Sequence, residues 1–154
     1  MYRCVCCNIE VVDCVKYLGL YIDKRLKWDH HINLLSKKLR KANHVIYHLR
    51  HFVRSEQLKN VYLSWFESLL RFGIIHYGGT YSTILKPIVM NQRHALRNMH
   101  SLKRMDRMSY LFSENNILTF NQLHQYSIIM FVVCTHTVTN TGTVCVCVSG
   151  WKTC

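Results

Sequence analysis

The chain has 154 residues with six Gly, one Pro and a 49% hydrophobic composition, enough material for one domain. So few chain breakers exclude a collagenous repeat or a long disordered linker. Twenty Lys and Arg against eight Asp and Glu give a net charge of +12, which points to a polyanionic partner, either a nucleic acid or an acidic membrane face.

At the N-terminus, Arg3, Glu10, Asp13, Lys16, Asp23, Lys24 and Arg25 leave no room for the apolar stretch of a secretory signal. Residues 9–23 read as a β-hairpin. Ile9, Val11 and Val12 would form one strand, Asp13-Cys14 the turn, and Val15 to Ile22 the second strand. Gly19 then falls in mid-strand, where glycine marks a bulge or a close backbone approach.

Helical periodicity begins at Asp29, a candidate N-cap, and runs to about Phe52. Ile32, Leu35, Leu39, Ala42, Ile46, Leu49 and Phe52 or Val53 make one apolar stripe. On the same helix Lys37, Lys41, His44, His48 and His51 recur at steps of four and three, so they share a face. A solvated exterior accounts for such a face on many helices. Here residues 24–107 hold 17 Lys and Arg against only Asp29, Glu56, Glu67 and Asp106.

Ser55 is the expected cap of a second helix, with Leu58, Tyr62, Trp65, Leu69 and Phe72 inward and the glycines at 73, 78 and 79 ending it. A third helix is expected to start near Pro87, a residue tolerated in a first turn, and to pass through Leu96 and Met99. Short helices over Met108 to Glu114 and from Thr119 to about Val133 complete the pattern. The expected fold class is mainly α (α+β), a short N-terminal hairpin followed by about five helices.

The apolar run Ile128 to Cys134 is far shorter than the roughly 20 residues that span a bilayer. A soluble protein of the nucleus or cytoplasm, without membrane contact, is therefore expected. Eight cysteines sit in two terminal clusters: Cys4, Cys6, Cys7 and Cys14, then Cys134, Cys145, Cys147 and Cys154. A reducing compartment disfavours stable disulfides, and neither cluster has paired finger spacing, although zinc held across the termini stays open. Val144-Cys145-Val146-Cys147-Val148 is what a translated GT repeat encodes, and Thr135-His136-Thr137 what an ACA-CAC-ACA repeat encodes. Residues 134–154 thus read as a low-complexity tail without a defined fold.

No G-x-S-x-G, P-loop, G-x-G-x-x-G or H-E-x-x-H occurs, which argues against the common nucleophilic, nucleotide-binding and zinc-protease classes. Other motifs point elsewhere. Lys16-Tyr17-Leu18-Gly19-Leu20-Tyr21-Ile22-Asp23, followed by Leu26, Trp28, His31 and Ile32, resembles a segment of the reverse transcriptases of non-LTR, jockey-like retrotransposons. Phe72-Gly73-Ile74-Ile75-His76-Tyr77-Gly78 is similar to that family's Y-G-I-x-x-W-G, with Phe and Tyr replacing Tyr and Trp. Gln92-Arg93-His94-Ala95-Leu96-Arg97 resembles its Q-K-x-A-I-R helix, and Ser109-Tyr110-Leu111-Phe112 with Asn116-Ile117-Leu118 resemble the pieces that follow. The resemblance spans about residues 8–131 and leaves the Cys-rich ends unmatched.

The resemblance implies the palm-to-thumb junction of an RNA-directed DNA polymerase, with residues 1–24 from the primer-grip region and 25–133 from the thumb. It also implies contact with the backbone of an RNA or DNA duplex through Lys16, Leu18, Gly19, Lys37, Lys41, His44, His48, Arg93 and Arg97. The absent palm and fingers become a candidate partner. The intact family enzyme is a Mg2+-dependent two-metal catalyst, but its metal-binding aspartates lie upstream, including a Phe/Tyr-x-Asp-Asp box. This chain has no adjacent Asp pair; Asp13, Asp23, Asp29 and Asp106 are scattered. No catalytic residue, metal ligand or cofactor is therefore expected in the chain, and no activity from it alone. The alternative reading is a helical protein-interaction module with no nucleic-acid role, anchored by Trp28, Tyr47 or Tyr81.

Overall fold

The structure, a computed structural model, describes residues 12–102 and 109–141, without the side chains of 109 and 136–141. It is mainly helical behind a two-stranded antiparallel hairpin, as expected. Strand β1 (Cys14–Tyr17) pairs with β2 (Leu20–Asp23) in a register that sets Tyr17 opposite Leu20. The turn is therefore Leu18-Gly19 rather than Asp13-Cys14, and Gly19 is not in mid-strand. Leu18 and Gly19 both have positive φ, 45° and 88°. That is the signature of a type I′ turn, whose twist matches the flanking strands and which favours glycine. The strand expected over residues 9–11 lies outside the described residues.

The loop after β2 is held by Asp23, whose carboxylate accepts the backbone N–H groups of Lys27 (3.0 Å) and Trp28 (2.8 Å). Partial desolvation opposes ionisation, but these bonds outweigh it and hold the Asp23 carboxyl below its ordinary value. Helix α1 (Asp29–Leu49) then begins, with Trp28 as its left-handed N-cap and Asp29 its first residue. Ile32, Leu35, Leu39, Ala42 and Ile46 are buried as the periodicity requires. The helix ends before Phe52, which is 84% exposed and does not join the stripe, while Val53 packs on the core.

Helix α2 (Ser55–Val61) is capped at Arg54, whose N–H donates to Gln57 Oε1; Ser55 is the first helical residue rather than the cap. The chain then widens into a π-helical segment, Tyr62–Glu67, and returns to α-helix as α3 (Ser68–Arg71). The wider turn corrects the expected face. Pure α-helical phasing placed Trp65 and Phe72 inward, but i→i+5 bonding offsets the drift of four-residue steps. Leu58 and Tyr62 are buried as expected and Leu69 packs partly against the core, but Phe66 and Leu70 take the fully buried positions, while Trp65 and Phe72 are exposed.

A glycine-started turn of helix, α4 (Ile74–Tyr77), adds Ile74 and Tyr77 to the core. Gly73 has φ +70°, and a Cβ there would stand 2.5 Å from Leu20 Cδ2 of the hairpin. Helix α5 (Ser82–His100) starts five residues before Pro87, so the proline sits inside it rather than at its start. Pro87 is exposed, on the side away from the buried Leu85, Ile88, Ala95, Leu96 and Met99. Helix α6 (Ser109–Glu114) is short, and α7 (Phe120–Thr141) runs past Val133 into the segment read as low-complexity. Residues 142–154 lie outside the described residues.

Two polar networks tie the core. Asn91 Nδ2 donates to Ser36 Oγ (3.0 Å), Asn43 Nδ2 to the Asn91 carbonyl (3.0 Å), and Asn98 Nδ2 to the Asn43 carbonyl (3.4 Å). Ser36 with Asn91 and Asn43 with Asn98 share one sequence offset, so α1 and α5 run parallel. Gln92, 1% exposed, donates to Tyr62 Oη (3.1 Å) and the Leu118 carbonyl (2.9 Å), and accepts from Phe120 N–H (2.9 Å). One amide thereby joins α5, the π-helical segment and the start of α7.

Candidate nucleic-acid interface

The residues named from the sequence fall on three elements. Lys16 is exposed on β1 with its ammonium 5.8 Å from the centre of the Tyr21 ring, and Leu18 stands 78% exposed at the hairpin tip. Gly19 faces inward: a Cβ there would lie 3.2 Å from the Phe72 ring. The turn and that ring account for its being glycine without a nucleic acid.

On α1, Lys37, Lys41, His44 and His48 are all exposed on the side opposite the buried stripe. His44 and His48 approach each other, Nε2 to Nε2, at 3.2 Å. His51 lies past the helix end and accepts from Arg50 Nε (3.2 Å), while the Arg50 guanidinium sits 4.1 Å from the centre of the Tyr47 ring. On α5, Arg93 is exposed and Arg97 half-buried, its Nε without a hydrogen-bond partner.

The electrostatics of this surface follow from what is missing beside it. Among the described residues the one ion pair is Arg71 with Glu67, at 2.7 Å within α3 and the π-helical segment. Lys37, Lys41 and Arg93 therefore carry their charge without an acidic partner. Helix α5 contains no acid, and α1 contains only Asp29, in its first turn.

Two features of the hairpin–helix junction were not evident from sequence. His31 is buried between the rings of Trp28 and Tyr77, and its Nδ1 accepts the Tyr21 N–H at 3.5 Å. That bond places the proton on Nε2, which has no partner. Burial, with smaller contributions from Lys38 and His30, lowers the His31 pKa below its ordinary value. Its phase gave a partial signal: one residue before Ile32, it borders the apolar stripe. Beside it a cavity of about 370 Å³ is lined by Gly19, Tyr21, Lys38, Ser68 and Phe72. Asp23 is the second feature, and its spacing to the helix start was the available signal.

The protein-contact anchors expected from sequence are redistributed. Trp28 packs against the core, Tyr47 is engaged by Arg50, and Tyr81 is 72% exposed. The larger exposed apolar surface is on α7, where Ile128, Ile129, Met130, Phe131 and Val132 are all exposed. It adjoins an open groove of about 980 Å³ lined by Leu63, Phe72, Ile75, Tyr126, Met130 and Phe131.

Asp23 spends both carboxylate oxygens on the loop, and among the described residues no group of three or more His, Cys, Asp or Glu could hold an ion. Cys14 is an exposed free thiol, and six of the eight cysteines lie outside the described residues. Among the described residues no helix is long and apolar enough to cross a membrane. Compared with protein-family models, curated proteins and solved structures, the chain matches none.

Proposed function

We propose that the chain is a reverse-transcriptase-like, thumb-type segment of a mobile-element protein that holds a template–primer duplex by its phosphates and does not itself carry the polymerase aspartates. The supporting observation is the outer face of α1, where Lys37, Lys41, His44 and His48 stand exposed and lack acidic partners. Contacts of this kind fix a protein on a duplex without reading bases, as suits a polymerase that copies any sequence. The hairpin tip at Lys16 and Leu18 and the α5 residues Arg93 and Arg97 are the further contacts.

Fluorescence anisotropy with an RNA–DNA hybrid over a salt series tests the reading. If about four phosphates are neutralised, log affinity falls with log salt at a slope of about −3.6. Replacing Lys37 and Lys41 together with Gln removes roughly two units of that slope. Unchanged binding in that variant refutes the α1 face as the site. Primer extension with a homopolymer template and magnesium or manganese gives no product from these residues alone; reproducible extension refutes the absence of catalytic carboxylates from them.

The exposed apolar run Ile128 to Val132 on α7 favours a second reading, a protein-contact module with no nucleic-acid role. Weak, salt-insensitive binding to the hybrid, together with self-association in sedimentation velocity that Phe131→Lys reverses, selects it over the first.

A further inference from the structure

We propose that His44 and His48 form a two-imidazole chelate for a divalent transition-metal ion on the outer face of α1. The two residues are four apart on a continuous helix, so their rings leave the same side one turn apart. Their Nε2 atoms converge to 3.2 Å, with ring centroids 4.3 Å apart and planes crossing at 81°. A tetrahedral ion with metal–nitrogen bonds of about 2.0–2.1 Å holds two ligand nitrogens about 3.3 Å apart. A right-angled pair on a square-planar or octahedral ion lies at about 2.9 Å, from the same bond length. The observed separation falls between the two, so an ion can enter with small ring movements.

Without metal, one ring donates its Nε2 proton to the lone pair of the other. With metal, both rings carry the proton on Nδ1 and both Nε2 lone pairs face the ion; one ring changes tautomer and no net proton is lost. Both side chains are exposed, which leaves the other coordination positions to water or an added ligand. Imidazole donors select zinc, copper or nickel over magnesium and calcium, so this site is unrelated to polymerase metal chemistry. Lys37, Arg40 and Lys41 on the same helix oppose a dication, but solvent and salt screen them at this exposed position. His51 is not a third ligand, since its Nε2 accepts from Arg50.

Nickel(II) titration of the full-length, 15N-labelled chain, followed by NMR, provides the test. Nickel prefers imidazole, and its paramagnetism broadens nearby signals first. At substoichiometric nickel the signals of His44 and His48 broaden before those of the singly exposed His30, His76 and His94. His44→Ala and His48→Gln, each on the solvent face, keep the circular dichroism spectrum and weaken nickel binding at this position by roughly tenfold or more, because the second imidazole binds intramolecularly. Broadening that begins at other histidines, or affinity at this position unchanged in either variant, overturns the proposal.

Discussion

Helices α1 and α7 have nearly equal length, 21 and 22 residues, and opposite designs. Helix α1 separates its chemistry: a stripe from Ile32 to Ile46 is sealed in the core, and Lys37, Lys41, His44 and His48 occupy the reverse side. Helix α7 carries no Asp, Glu, Lys or Arg at all, and among its described side chains only Phe120 and Leu123, in its first turn, are buried hydrophobics. Its apolar residues beyond Leu123 run consecutively rather than at three- and four-residue steps, so they point in all directions. Patterning lets α1 be both a core element and a charged surface. Without it, α7 is anchored in its first turn and leaves apolar surface exposed from Ile128 to Val132.

The sharpest way to break this difference is to cut the hydrogen bonds that hold the start of α7. Gln92→Leu orphans Tyr62 Oη, the Leu118 carbonyl and the Phe120 N–H. At about 1–3 kcal/mol for each buried group left unpaired, the loss is about 3 kcal/mol or more, read as a lower urea midpoint. A loss below about 1 kcal/mol, by the same reckoning, would mean that α7 is not held by this amide.

Gly73→Ala comes next. It forces a side chain into a left-handed conformation against Leu20, and the conformational cost alone is about 1–2 kcal/mol. The leucine is a flexible neighbour and gives way, so the fold survives with a lower thermal midpoint. An unchanged midpoint would show that the hairpin contributes nothing to the α1 side of the molecule.

His31 gives a smaller effect that depends on pH. Its native pKa is lowered below the ordinary 6.5, so the unfolded chain takes up a proton that the native chain refuses. This contribution is intact above about pH 6.5, declines as pH falls through that value and levels off beneath the native pKa. His31→Gln, which keeps an acceptor for the Tyr21 N–H, flattens that part of the stability profile in chemical denaturation. A profile unaltered by the substitution would exclude His31 as its source.

The smallest effect belongs to the exposed middle of α7. Ile129→Lys or Phe131→Lys changes unfolding free energy by no more than about 0.5 kcal/mol, as for other surface positions. The same changes in α1, at Leu39 or Ala42, would unfold the chain. A loss above 1.5 kcal/mol at Phe131, well outside that surface range, would show that the middle of α7 is packed after all.

Local pattern by itself determined α1: the stripe from Ile32 to Ile46 and the basic face opposite it follow from residue spacing, because helical phase is a property of neighbours in the chain. It also determined that a hairpin precedes the helices and that helix follows Thr119. Tertiary structure decided what depends on partners distant in sequence. The turn settled at Leu18-Gly19 because that register lays Gly19 against Phe72 and Leu20 against Gly73. The π-helical turn re-phased residues 62–70, and an inserted residue of helix leaves no mark in composition. Gln92 looked like one polar member of a helix motif, and its three buried bonds reach residues 26 to 30 positions away. The convergence of His44 with His48 needed both levels: spacing put the rings on one face, and their rotamers brought the two nitrogens to 3.2 Å.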